Sequence, residues 1–291
     1  MYLIVGANGF LGSYLIKNIL EKTNDKILAT DLICPKNINN RVEWFKCDIT
    51  NLNDLNNLYA KTKKEKLKVL FLAAYHHPDL VLKNPKIAWG VNVIALANFL
   101  GIFDNIERMY YPSTEVVYGE MADEPFKEDA KLNPVSRYGE LKTVAERMVN
   151  VAGYNVVRFP VLIGPSLQEE KKHFYDVIVE TVKSGKEMEM FSDQLRSMID
   201  FDTAAKVVVD LVETPQAQKF PIVNVSGDEA LSKYELGIRI CRTNGLDETK
   251  IKPISLENDN KIFTAKRAKS TLLDNSLVKQ ILNLRELKIR I

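Results

Sequence analysis

The sequence predicts an α/β chain: a doubly wound parallel sheet with helices on both faces, joined to a smaller mixed α/β lobe. Three observations predict it. Short apolar runs alternate with amphipathic runs through the first half of the chain, which is the rhythm of βαβ units. A glycine-spaced turn, Gly6-Ala7-Asn8-Gly9-Phe10-Leu11-Gly12, follows the first apolar run and opens the first amphipathic one. After Pro160 the alternation loosens, so the remainder is expected to divide between the sheet and a second lobe.

Strands are expected at Leu3–Val5, Ile27–Thr30, Val42–Phe45, Val69–Ala74 and Met109–Ser113, with further strands at Tyr154–Arg158 and Ile222–Val225. Helices are expected at Phe10–Leu20, Leu52–Lys61, Ala88–Phe103 and Tyr138–Val151. The nucleotide-binding domain is expected to span 1–160, with a returning segment at about 196–225. Residues 161–195 and 226–291, with helical stretches at Phe174–Ser184 and around Asn275–Leu282, are expected to form the second lobe over the strand ends. That is where an open α/β sheet binds ligands.

The 46% hydrophobic content of 291 residues is enough for a sizeable core. Forty basic and 38 acidic residues leave a net charge of +2, and no basic run is interleaved with aromatics, so nucleic acid is not an expected partner. The longest apolar stretch, roughly Val69–Tyr75, is far short of the ~20 residues of a membrane span, so no membrane association is expected. MYLIV runs straight into the glycine turn, and no secretory leader is expected. Cys34, Cys47 and Cys241 are odd in number and lack metal-like spacing; reduced cytoplasmic thiols are the expectation.

The glycine turn has the spacing of a dinucleotide loop. One glycine permits the tight turn, one lets backbone amides approach a pyrophosphate, and one allows close helix–strand packing. A tight β–α turn without a ligand is the competing explanation. Asp31 ends the second strand, 19 residues after Gly12. An acidic residue there hydrogen-bonds the ribose 2′-hydroxyl and repels a 2′-phosphate. Leu32 and Ile33 follow without an arginine, so NAD(H) is favoured over NADP(H). Asp48-Ile49 stand where they could bracket the adenine, or Asp48 could cap a helix. The small pair Ala73-Ala74, after Leu72, leaves room for a cofactor beside the fourth strand; core packing explains it nearly as well.

Tyr138 and Lys142 lie four residues apart and share a helical face. The ammonium, with an oxidised nicotinamide ring, is expected to lower the phenol pKa from ~10 and make Tyr138 an acid/base. Thr114, 24 residues upstream at a strand end, supplies a hydroxyl for the same substrate oxygen. Tyr59 and Lys63 repeat the spacing in a Lys-rich stretch without partner motifs, which reads as a solvated face.

With these motifs in place, the chain resembles an extended short-chain dehydrogenase/reductase over nearly its whole length. GANGFLG, Asp31, CDI, AAY, Val91-Asn92, STEVVYG, YGELK and RFPVLIGP occur in the family's order. The resemblance implies a Rossmann fold, a nicotinamide cofactor, a nucleotide-sugar substrate held by the second lobe, and a homodimer paired through helices near 88–103 and 138–151. It makes Thr114, Tyr138 and Lys142 catalytic. It assigns the cofactor to Gly6, Asn8, Gly9, Phe10, Leu11, Asp31, Leu32, Asp48, Ile49, Leu72, Ala73, Ala74, Asn92 and Pro160, along with Tyr138 and Lys142.

Three subgroups compete. The 4,6-dehydratases carry S-T-D-E-V-Y-G; here Glu115 replaces the Asp and Val116 replaces the Glu, and valine cannot abstract a proton. The dTDP-4-dehydrorhamnose reductases are the most similar. The chain matches them in STEVVYGE, Pro125-Phe126-Lys127-Glu128, Asn133-Pro134 before YGELK, AAYHHPD, Asp193-Gln194-Leu195-Arg196-Ser197 and Arg267-Ala268-Lys269-Ser270. It departs from them at residues 32–47 and at Met198-Ile199, where Pro-Thr is usual. The 4-epimerases share the Thr/Tyr/Lys set, and their R-x-F-I-x-V-x-D stretch resembles Arg196 through Asp202. The resemblance therefore implies reduction of a 4-keto-6-deoxy sugar, with 4-epimerisation as the alternative and a non-catalytic regulatory subunit as a second one. His76, Thr114, Glu115, Arg196 and Arg267 are the expected substrate contacts. His173 is expected to cap a helix or lie at the surface rather than act as an acid, and no metal is expected.

Overall fold

The computed structural model describes residues 1–35, 39–121, 124–256 and 263–291. The expected second-lobe range 226–291 includes 257–262, which lie outside the described residues. Six strands come first: β1 (Tyr2–Val5), β2 (Ile27–Asp31), β3 (Val42–Lys46), β4 (Leu67–Phe71), β5 (Ile106–Thr114) and β6 (Asn155–Phe159). Short strands β7 (Leu162–Ile163), β8 (Met188–Phe191), β9 (Leu195–Arg196) and β10 (Ile199–Asp200) follow, and the chain then returns to the main sheet as β11 (Ile222–Asn224). Strands β12 (Leu231–Ser232), β13 (Ile251–Ile254) and β14 (Ser270–Thr271) complete the set. The main sheet has seven strands in the order β11-β6-β5-β4-β1-β2-β3, and every pair in it is parallel.

The helices are α1 (Phe10–Lys22), α2 (Leu52–Thr62), α3 (Pro78–Lys83), α4 (Pro85–Trp89), α5 (Ala95–Ile102), α6 (Arg137–Val151), α7 (Phe174–Lys183), α8 (Phe201–Glu213), α9 (Lys233–Thr243) and α10 (Ser276–Leu282). Successive strand residues point to opposite faces. Tyr2 and Ile4 accordingly pack with Leu15, Ile19, Val208 and Leu211 of α1 and α8. Leu3 and Val5 pack with Leu55, Leu96, Phe99, Ala145 and Val149 of α2, α5 and α6. A third core joins α7, α9, β8 and β13 in the lobe through Ile178, Met190, Leu236 and Ile251.

Two elements depart from expectation. Strand β4 stops at Phe71 rather than Ala74, because the Leu72 and Ala73 N–H groups both donate to the Val5 carbonyl, at 2.7 and 2.9 Å. The segment expected as one helix from Ala88 divides into α4, a wide π turn at Gly90–Ile94, and α5. This continuous stretch, Pro85–Ile102, is long and apolar enough by composition to cross a membrane, although the sequence reading found no such stretch. One third of the stretch is buried, including Ala88, Val93, Ala95, Leu96 and Phe99, while Ile87, Trp89 and Ile94 are exposed.

Helix α6 is fixed to the sheet by a buried ion pair. The Arg158 Nε and Nη2 atoms donate to the two oxygens of Glu146 at 3.0 and 2.6 Å, and the side chains are 1% and 2% exposed. Arg158 Nη1 also donates to the Tyr118 hydroxyl at 2.5 Å and to the Glu128 carbonyl at 3.0 Å. Removing one partner strands the other charge in a low dielectric. Chemical denaturation of Arg158→Met should therefore show a loss of about 3–5 kcal/mol. The double variant Arg158→Met/Glu146→Leu should recover most of it.

Candidate active site

The glycine turn is shaped by contacts that exclude side chains. Gly6 has φ +84°, and a Cβ there would lie 2.6 Å from the Ala73 nitrogen. A Cβ on Gly12 would lie 2.3 Å from the Ala7 carbonyl oxygen. Gly9 is the N-cap of α1 and offers no side-chain cap, which leaves the helix start to a ligand. Asp31 faces this loop. Its Oδ2 accepts the Asn8 N–H at 3.0 Å and its Oδ1 accepts the Leu32 N–H at 2.8 Å, while Asn8 Nδ2 donates to the Ile33 carbonyl at 2.9 Å. Leu32 is exposed beside it, and Phe10 and Leu11 pack against the core below. These residues fit a dinucleotide: an open helix N-terminus for phosphate and a carboxylate for ribose.

Other expected cofactor residues take different work. Asn92 is buried and clamps the chain after β4, accepting the Tyr75 N–H at 2.8 Å and donating to the Tyr75 carbonyl at 3.0 Å. Its amide therefore shapes the AAY turn, which corrects the expected direct cofactor contact. Ile49 is buried in the α2-side core. Asp48 does not cap α2, since Asn51 does. Its carboxylate accepts the Thr50 N–H and hydroxyl at 2.9 and 2.6 Å. Pro160 is buried directly after β6.

Strand β5 and helix α6 bring the catalytic candidates together. Thr114 ends β5 and its hydroxyl accepts the Val116 N–H at 3.4 Å. Ser136 caps α6 through the Gly139 N–H at 3.2 Å. The next turn presses onto β5, because a Cβ on Gly139 would lie 2.8 Å from the Val116 carbonyl oxygen and 2.7 Å from Pro134. Tyr138 therefore sits at the strand end, close enough for Glu115 to act on its phenol. Glu115 is 3% exposed. Its Oε1 lies 3.2 Å from Arg196 Nε, and its Oε2 has no hydrogen-bond partner among the described residues. Burial pushes the carboxyl up to about 7, opposed by Arg196.

Lys142 departs from expectation. Its ammonium donates to the Tyr111 hydroxyl at 2.9 Å and the Pro112 carbonyl at 2.7 Å, and lies 4.3 Å from the Tyr111 ring centre. Burial pulls its pKa down to about 7, against the pull of Glu146. The expected lowering of the Tyr138 pKa is corrected too: burial first, and then Glu115, raise it well above the ordinary phenol value. One of the three ammonium N–H donors remains for a ligand.

On the substrate side, Arg196 is 5% exposed. Its Nη1 donates to Leu195 and Lys269 carbonyls at 2.6 and 3.1 Å, and its Nη2 to the Ala268 carbonyl at 2.7 Å. With Nε on Glu115, four of its five N–H donors are taken up within the protein, which leaves one Nη2 N–H for its expected role as a phosphate ligand. Arg267 pairs with Asp79 at 3.0 Å and covers the Phe263 ring at 4.6 Å. His76 lies within reach of the Lys142 charge; burial, with His77 and Lys142, lowers its pKa. His173 caps α7, as expected. The second Tyr/Lys pair lies on α2, where the Tyr59 hydroxyl donates to Asp104 at 2.8 Å. The sequence reading missed Lys233. It faces the Phe174, Phe191 and Phe263 rings at 5.8, 5.9 and 5.3 Å, and it has no carboxylate partner among the described residues. Burial, with Arg196 and Arg267 nearby, lowers its pKa to about 8. No local motif marks it, because the three rings come from separate segments. Among the described residues no His/Cys/Asp/Glu group could hold a metal.

The family model described as the RmlD substrate binding domain matches residues 1–290. The chain belongs to that family. It lies within the extended short-chain dehydrogenase/reductase superfamily. A dTDP-4-dehydrorhamnose reductase from Clostridium acetobutylicum ATCC 824 is 23% identical, covers 99% of this chain and 94% of that one, and superposes with TM-score 0.79. A dTDP-4-dehydrorhamnose reductase from Bacillus anthracis, solved with NADP, is 20% identical over 99% and 94%, with TM-score 0.80. UDP-glucuronic acid 4-epimerase from Bacillus cereus, solved with UDP-glucuronic acid and NAD, is 20% identical over 100% and 94%, with TM-score 0.82. At these identities they show the fold of this RmlD-family chain. In sequence it is also similar to methionine adenosyltransferase 2 subunit beta from Xenopus laevis, 26% identical over 266 residues, 88% of this chain and 75% of that one.

Two outcomes follow from the packing of α6. Gly139→Ala should lose about 1–3 kcal/mol by overpacking, measured by urea denaturation, and shift Tyr138 from Thr114. Lys142 has a depressed pKa, so between about pH 7 and pH 10.5 the unfolded chain binds the extra proton. Stability measured relative to Lys142→Met should therefore rise with pH across that window and stay flat below it.

Proposed function

We propose that this chain is a nicotinamide-dependent reductase of a nucleotide-activated 4-keto-6-deoxy sugar. The observation that carries this reading is the placing of Tyr138 at the end of β5, where Thr114 ends the strand, in a chain that the RmlD family model matches over residues 1–290. Burial and Glu115 raise the pKa of the phenol, which favours its neutral form. Ketone reduction consumes a proton and can begin from that state, whereas a 4-epimerase begins by oxidation and needs the phenolate first. The RmlD family match and the two reductases of the same fold support the same choice.

The bound dinucleotide supplies the hydride. Tyr138 delivers its proton to the ketone oxygen, and Thr114 Oγ1 orients that oxygen. Lys142, held on the Tyr111 hydroxyl and the Pro112 carbonyl, would offer its remaining N–H to the cofactor ribose. Val116 offers no base for water elimination. Lys233 and Arg267 meet the substrate diphosphate. Asp31 favours NAD(H). The chain pairs with a second copy through α4, α5 and α6, where Ile87, Trp89, Ile94 and Val144 are exposed apolar residues.

A regulatory-subunit reading has its own support. The likeness to methionine adenosyltransferase 2 subunit beta covers most of the chain, and Lys142 is seated on Tyr111 and Pro112 instead of beneath Tyr138. The test is loss of reduced-nicotinamide absorbance with dTDP-, UDP- and GDP-linked 4-keto-6-deoxy sugars. Turnover is expected with one nucleotide, and Tyr138→Phe should lower kcat by roughly 10²–10⁴. Dinucleotide binding without turnover on any of these sugars would transfer the case to the regulatory reading. Trp89→Glu should shift the protein from dimer to monomer in sedimentation.

A further inference from the structure

We propose that Lys171 binds a phosphate of the dinucleotide, reaching the glycine turn from the strap at 165–173; the inference rests on the dinucleotide reading above. The strap is anchored at both ends. The Tyr14 hydroxyl donates to the Pro165 carbonyl at 2.9 Å, and the Ser166 N–H donates to Asp176 at 3.1 Å. At the other end the His173 ring packs edge-on against Phe10 and Phe201, with centroids 4.9 Å apart in both cases.

Between these anchors the strap crosses the start of α1. Gln168 Nε2 donates to the Ser13 hydroxyl at 2.6 Å and to the Asn8 carbonyl at 3.2 Å. The Lys171 ammonium donates to the same Asn8 carbonyl. Asn8 marks the adenosine end of the cradle, since its N–H is held by Asp31 and its amide by the Ile33 carbonyl. Lys171 has no carboxylate partner among the described residues, whereas neighbouring Lys172 pairs with Glu180 at 2.6 Å. Among the described residues, Lys171 is the charged side chain of the strap that hydrogen-bonds the glycine turn, whereas Glu169 and Glu170 beside it make no bond to that turn. An ammonium at an uncapped helix N-terminus, where Asp31 already accepts two N–H groups, suits an anion. The dinucleotide offers two, its diphosphate and the 2′-phosphate of NADP(H).

The test titrates NADH and NADPH separately into the intact protein and follows nicotinamide fluorescence at low and moderate salt. Lys171 is exposed, so its replacement leaves the core intact. Lys171→Met should weaken binding about tenfold at low salt, the size of one charge-assisted contact, with the difference narrowing as salt rises. Lys171→Arg should bind nearly as well as the parent, and Lys172→Met should be unchanged. A loss confined to NADPH assigns the 2′-phosphate, and equal losses assign the diphosphate. Unchanged binding by Lys171→Met overturns the proposal while leaving the dinucleotide reading standing. A parent protein that binds neither dinucleotide overturns both.

Discussion

The buried pair between Arg158 and Glu146 fixes where α6 lies, and the candidate site depends on where α6 lies. Two charges out of water hold their geometry because each satisfies the other's hydrogen-bonding groups, in a paired contact through Nε and Nη2. One turn toward the N-terminus, Lys142 adds a second tie from the same helix to β5. Gly139 then lets the first turn approach the Val116 backbone without a side chain between them. Tyr138 is placed by these three constraints together. Thr114 is placed by the end of β5, where the backbone leaves the sheet for a 3-10 turn.

The same burial that fixes the site also sets its protonation. Low dielectric disfavours every charged form, so the Lys142 and Glu115 pKa values converge near 7 while the Tyr138 phenol stays neutral. A neutral phenol beside a poised carboxyl is suited to donating a proton. The arrangement also explains why Arg196 stays inside the protein. It partly compensates Glu115, and it joins β9 to the backbone of residues 268–269.

Much of this was legible in the sequence. Strands β1 to β3 are near-continuous apolar runs or alternations that stop at polar residues, and the glycine turn announces the first β–α connection. Thr114, Tyr138 and Lys142 were singled out by spacing; Thr114 ends β5, Tyr138 opens α6 against it, and Lys142 is tied to Tyr111 and Pro112 of the same strand. What spacing cannot give is the partner of a long side chain. Arg196 reads as a free guanidinium until residues 268 and 269 are seen to lie against it, more than seventy positions away. Asn92 reads as a cofactor contact until Tyr75 closes on it. Helices α8 and α9 are hard to read because the βαβ alternation loosens after Pro160, although α8 buries Val207, Val208, Leu211 and Val212. Lys233 was invisible because its aromatic surroundings form only in three dimensions.

The most direct test of the central claim is hydride tracing. The protein is incubated with a nucleotide-linked 4-keto-6-deoxy sugar and reduced dinucleotide carrying deuterium at nicotinamide C4, and the sugar is analysed by mass spectrometry and NMR. The account predicts a reduced sugar bearing one deuterium at C4, formed as the dinucleotide is oxidised, and none with Tyr138→Phe. An unreduced substrate under conditions where the dinucleotide is bound would contradict it, as would a saturated nucleotide sugar inverted at C4 without net cofactor oxidation.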